Sequence, residues 1–198
     1  MGVEERMADR CNTIRLYSFQ TDVVYQVLKR DGVCYSKEEY VRKIYTESAK
    51  VFINAYGWFV KEAQHIVPKP EGAEYPYWAF TDLYNVDQTG DGHVLTLDVP
   101  IGEAILFDMF DWTKIMQMHY IGENESEEAT FSEELKNMGM NEFQIMTSNF
   151  YPEQKARIQE SWKRLFGHQQ AIEAGDNSGV HSVQAGLWCI KDEWIVKE

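Results

Sequence analysis

The stretch DQTGDGHVLTLD, residues 87–98, spaces its oxygen-bearing side chains as a calcium-holding loop does. Asp87, Thr89 and Asp91 stand at the first, third and fifth places, Gly92 at the sixth and Asp98 at the twelfth. Such a loop needs a helix on each side to hold its ligands. Here Pro76 and an aromatic alternation precede it, and Pro100 and Gly102 follow. Asp98 is also one methylene short of the Glu that binds in bidentate fashion, and it alternates with Leu95, Leu97 and Val99 as an outward strand residue does. The Asp-Gly and Thr-Gly dipeptides equally suit a hairpin turn, which is the expectation favoured over a metal site.

A second set of chemical groups interrupts an apolar run in LFDMFDW. Asp108 and Asp111 stand where a strand gives way to a helix, either as caps of the helix start or as carboxylates presented at a strand end. His119, a few residues on, is a candidate acid–base partner for either. The five histidines form no HExxH or HxH pattern, and there is no GxSxG, P-loop or GxGxxG motif.

A third set is polar and aromatic. In SVQAGLWCI, Gln184 shares one strand face with Ser182, Gly186 and Trp188, opposite Val183, Ala185, Leu187 and Cys189. LYSFQ supplies Tyr17, Ser18 and Gln20, and YPYWAF supplies Tyr77 and Trp78 as a stacking wall. Drawn together over one hollow, these six side chains would form a pocket for a small molecule, with packing as the competing role of the rings.

The elements that must position them are read from periodicity. Residues 12–20 alternate as a first strand. Thr21 opens an amphipathic helix with a Val23, Val24, Val27, Leu28 stripe, and Gly32 stops it. SKEE at 36–39 is a capping box that begins a long helical pattern ending at VPKPEG. Residues 77–84 and 93–99 read as strands joined through the Gly- and Asp-rich turn, 104–109 as another strand, and WTKIMQMH as a helix. GENESEEA is an acidic loop, 131–138 and 153–166 are helical pieces, and 180–190 is a closing strand followed by a short WIVK segment. Strands at both ends and the centre, with helices between, predict an α+β domain with a mixed or antiparallel sheet over 13–198, after a flexible N-terminus at 1–12.

Composition narrows the function classes. With 19 basic and 32 acidic residues, a formal net charge of −13 disfavours nucleic acid and suits a basic protein partner or a plain solvated surface. Three dispersed cysteines suggest neither a disulfide framework nor a zinc knuckle. The charged start lacks a signal-peptide core, and no apolar run approaches membrane-spanning length, so a cytoplasmic protein with no membrane association is expected.

Five stretches in order, IRLYSFQTDVVYQVLKRDGV, YPYWAF, VLTLDVPIGEAILFDMFDW, SWKRLF and VQAGLWCIKDEWIVK, resemble the bacterial family catalogued as domain of unknown function 3841. That resemblance implies no activity. A fainter similarity is to the ADP-ribosyltransferase fold. It implies NAD or another nucleotide as ligand, with Tyr17, Ser18 or Gln20, then Tyr77 or Thr81, then Gln184 at the contacting positions. LYSFQ lacks that fold's usual His or Arg, and Gln184 cannot ionise as its catalytic Glu does. The similarity therefore implies binding more readily than transfer.

Overall fold

The computed structural model describes residues 12–38 and 49–197. The expected flexible N-terminus at 1–12 and the body of the 36–63 helical pattern before residue 49 fall largely outside them.

β1 (Thr13–Gln20) alternates as its sequence requires, burying Leu16, Ser18 and Gln20 while Arg15 and Tyr17 turn to the other face. α1 (Asp22–Asp31) follows. Its apolar stripe buries Leu28 fully but leaves Val23 mostly exposed, and Gly32 ends it in the left-handed conformation, φ 76°, with its N–H on the Leu28 carbonyl. β2 (Val33–Tyr35) and α2 (Ala49–Ala63) come next, then β3 (Tyr77–Phe80), β4 (His93–Pro100) and β5 (Ile105–Asp108).

The chain continues through α3 (Met109–Met116), α4 (Glu125–Asn137), α5 (Glu142–Thr147), α6 (Pro152–Ser161) and α7 (Gln169–Glu173). It closes on β6 (Val183–Leu187) and β7 (Cys189–Lys191). The main sheet is antiparallel in the order β4-β1-β3-β6-β5, and β2 pairs with β7 in a second, two-stranded sheet. The expected α+β architecture is what the chain adopts.

Three expectations change. Residues 77–84 and 93–99 are not hairpin partners, because β1 lies between β3 and β4 and pairs with both. The segment between them crosses the end of β1, where a β-carbon on Gly92 would collide with the Gln20 carbonyl. The acidic loop is instead the first turn of α4. Asn124 caps it by accepting from the Glu127 N–H at 3.0 Å, and its glutamates face the electropositive helix end. The closing strand divides at Trp188, so that β6 joins the main sheet and β7 the small one.

Apolar layers cover both sheet faces. One face meets α2, α3 and the C-terminal helices through Phe59, Trp112, Ile145 and Trp162. The other meets α1, the small sheet and α7 through Leu28, Ile190, Ile172 and Trp194. β6 is consequently buried along its whole length, on its polar face as well as its apolar one.

Candidate functional site

The six proposed pocket residues divide between the two faces. Ser18, Gln20 and Tyr77 belong to the α1 face, where their polar atoms bond internally. Gln20 Nε2 donates to Ser18 Oγ at 2.8 Å, and Ser18 Oγ donates to the Trp78 carbonyl at 2.6 Å. The Tyr77 hydroxyl meets Cys34 Sγ at 3.1 Å. The registered ladder between β1 and β3 is the single pair Tyr17–Phe80, and the Ser18 hydroxyl supplies a further link between them. These groups hold strands together rather than face a hollow with the other three.

Tyr17, Trp78 and Gln184 do share a face. The register runs Thr96–Tyr17–Phe80–Gln184–Phe107 across five strands, and Trp78 opposes Gly186 one step along. Strand spacing puts Tyr17 and Gln184 about 10 Å apart with Phe80 between them. Over β3, β6 and β5 this face lies under rings of the helical layer: Phe59 packs against Trp78 at 5.1 Å and Phe107 at 5.6 Å. Trp78 Nε1 also donates to the Tyr56 hydroxyl at 2.7 Å. Toward β1 and β4 the cover thins, and Tyr17, Phe80 and Thr96 are half-buried. Gln184 stands where the covered part meets the open part. It is 4% exposed, and its Oε1 has no hydrogen-bond donor among the described residues.

The calcium-like residues do not converge. Asp98 faces outward from β4, and its carboxylate is held by the Arg15 guanidinium at 2.5 and 3.0 Å. Asp87 Oδ1 accepts from the N–H and hydroxyl of Thr89, a local turn that keeps its pKa low. The segment carrying Asp87, Thr89 and Asp91 runs from a short 3-10 turn at Leu83–Asn85 into β4, with no helix pair to frame it.

Asp108 is the helix cap its position suggests: Oδ1 accepts from the Phe110 N–H at 2.9 Å. Its other oxygen engages a residue not anticipated from the sequence. Oδ2 accepts from the His181 backbone N–H at 3.0 Å and lies 2.8 Å from His181 Nδ1. Burial pushes the Asp108 carboxyl up, but these bonds from His181 and Phe110 outweigh it and hold it below the ordinary carboxylate range. The pairing of β5 with β6, Asp108 opposite Val183, carries the signal, since it brings residue 181 to residue 108. Asp111 is raised, chiefly by burial, with Lys114 opposing. His119 pairs with neither aspartate. It lies beyond the far end of α3 and reaches Glu142 at 4.0 Å.

An open hollow of about 530 Å³ is lined by Tyr120, Arg157, Lys163 and Arg164 among others. Its cations already have carboxylates: Arg157 with Glu134, Lys163 with Glu160, and Arg164 with Glu123 and Glu127. The acidic start of α4 is thus interleaved with positive charge. Among the described residues no group of three or more metal-ligating side chains exists, and no helix is long and apolar enough to cross a membrane.

The family model described as domain of unknown function (DUF3841) matches residues 15–196, from within β1 to the segment beyond β7. The chain belongs to the DUF3841 family. The match takes in every strand and both sheet faces, so the ledge at Gln184 and the Asp108–His181 pair lie within the DUF3841 domain. No curated protein and no solved structure matches the chain.

Proposed function

We propose that this DUF3841 domain binds a small hydrogen-bonding ligand of the nucleotide class on the ledge formed by Tyr17, Phe80, Trp78 and Gln184. The observation that carries the reading is the Gln184 Oε1 atom, buried beside a half-open aromatic surface and lacking a donor among the described residues. Buried polar groups are nearly always paired, so a lone acceptor at the edge of a ledge is suited to an N–H brought by a ligand. An exocyclic amine or a carboxamide supplies one, and the half-buried rings of Tyr17 and Phe80 offer stacking surface for the plane that bears it. Gln184 is neutral at every pH, so the role argued for it is recognition and not proton transfer.

NAD, which carries both an exocyclic amine and a carboxamide on flat rings, is the first probe, with ATP and GTP beside it. Titration calorimetry of the full chain is expected to give saturable binding to at least one of them, weakened about tenfold or more by Gln184→Ala, since each 1.4 kcal/mol is a factor of ten. Absence of heat with all three, or equal affinity in the variant, would remove the proposal.

A further inference from the structure

We propose that Asp108 and His181 form a separate acid–base site, in which His181 Nε2 accepts a proton from a water or hydroxyl attacking a substrate with an aromatic group.

The pair sits at the start of β6, on the opposite side of the sheet from Gln184, since Asp108 opposes Val183 and Gln184 opposes Phe107. Its two members are unequally placed. The Asp108 side chain is 5% exposed, while the His181 side chain is 74% exposed. An imidazole that open is ordinarily free to rotate. This one is held at Nδ1 by the carboxylate at 2.8 Å, and its ring lies against Phe110 with centroids 5.0 Å apart. Anchoring the backbone before β6 requires only the bond from the His181 N–H, and capping α3 only the bond from Phe110. Neither accounts for the ring.

An ionised carboxylate can only accept, so the Asp108 contact fixes the proton of neutral His181 on Nδ1 and leaves the Nε2 lone pair available to solvent. In the step inferred, the O–H bond of the attacking water breaks as its oxygen bonds to the electrophilic carbon, and Nε2 takes that proton. The resulting imidazolium is stabilised by Asp108, which stays ionised. The bond from that carbon to the leaving oxygen then breaks, its electron pair going to the oxygen, and Nε2 returns the proton there, restoring the neutral ring. The nearby titratable groups are Asp111 and Lys114 on α3 and the His168 imidazole, which lies close enough that a β-carbon on Gly179 would meet its Nδ1 at 3.2 Å. Phe110, itself half exposed, offers the adjoining surface for an aromatic leaving group.

The probe is p-nitrophenyl acetate, with the full chain, together with nitrogen-15 NMR of the histidine rings. The expected results are the Nδ1–H tautomer for His181 and a hydrolysis rate at least about tenfold lower in His181→Gln, with His119→Gln unchanged. Asp108→Asn is expected to lose the rate as well. Should that variant misfold, His181→Gln still decides, since its mutated ring is exposed and its melting temperature is expected to stay within about 2 °C of the parent. An Nε2–H tautomer, or His181→Gln hydrolysing at the parent rate, would each overturn the proposal.

Discussion

Replacing Gln184 with Met separates the cost of its lone acceptor from its use. Methionine keeps the length and approximate volume of glutamine and carries no strong acceptor. Gln184 is 4% exposed and its Oε1 has no donor among the described residues. A buried polar atom in that condition costs about 1–3 kcal/mol. Gln184→Met is therefore expected to stabilise the ligand-free protein by at least about 1 kcal/mol, an unusual sign for a change in a packed strand. For a chain of this size that is a rise in melting temperature of roughly 2–4 °C per kcal/mol. Calorimetric or fluorescence melting of both proteins measures it. A bound nucleotide at a hundred times its Kd adds about 2.7 kcal/mol to the parent, and this increment is expected to shrink or vanish in the variant. If Gln184→Met melts lower than the parent without ligand, the oxygen has a partner in solution and the inference from its solitude fails.

Other perturbations test the frame around the site. Gly186→Ala would place a β-carbon 2.9 Å from Phe59 Cζ and 3.4 Å from Trp78, with Phe59 fully buried, so a loss of about 1–3 kcal/mol is expected by chemical denaturation. Gln169 stands in for a missing neighbour at edge strand β5, accepting from the Leu106 N–H at 2.5 Å and donating to the Ala104 carbonyl at 3.1 Å. Gln169→Ala leaves both groups without it and is expected to cost about 2–4 kcal/mol. Burial pushes the Cys189 thiol up to about 11. A folded value above the unfolded one means stability present below the unfolded pKa and lost as pH rises toward 11. Melting temperature should therefore fall more steeply above pH 9 in the parent than in Cys189→Ala.

Local patterns located most elements, and non-local pairing decided what they met. β1, α1 and its Gly32 stop, β4, β5 and the Asp108 cap all follow from alternation, capping chemistry and glycine, which act within a few residues. The hairpin expectation failed because turn residues cannot reveal that a third strand, β1, inserts between the two they join. The acidic run has the composition of a solvated loop, yet glutamates in a first turn favour a helix start. The six-residue pocket failed by parity. Tyr17 and Ser18 are consecutive in a strand, and so are Tyr77 and Trp78; consecutive residues cannot face one hollow. At least two of the six were bound to land on the other side, and the register of β6 against β3 made it three.

The same parity gives β6 its interest. A strand buried on both faces has little tolerance for polar atoms, and around its start nearly every one is accounted for. The Ser182 hydroxyl accepts from Asn85 at 2.7 Å, the Ser182 carbonyl from the Met109 N–H at 2.8 Å, and the Val183 carbonyl from Thr81. The His181 N–H and ring both reach Asp108. Against neighbours so completely paired, one amide oxygen without a donor among the described residues does not read as general looseness of packing. An aliphatic residue at 184 would spare the fold that cost. A glutamine there makes physical sense where something outside the described residues supplies the donor, and the half-covered ledge of Tyr17 and Phe80 is the side from which it would come.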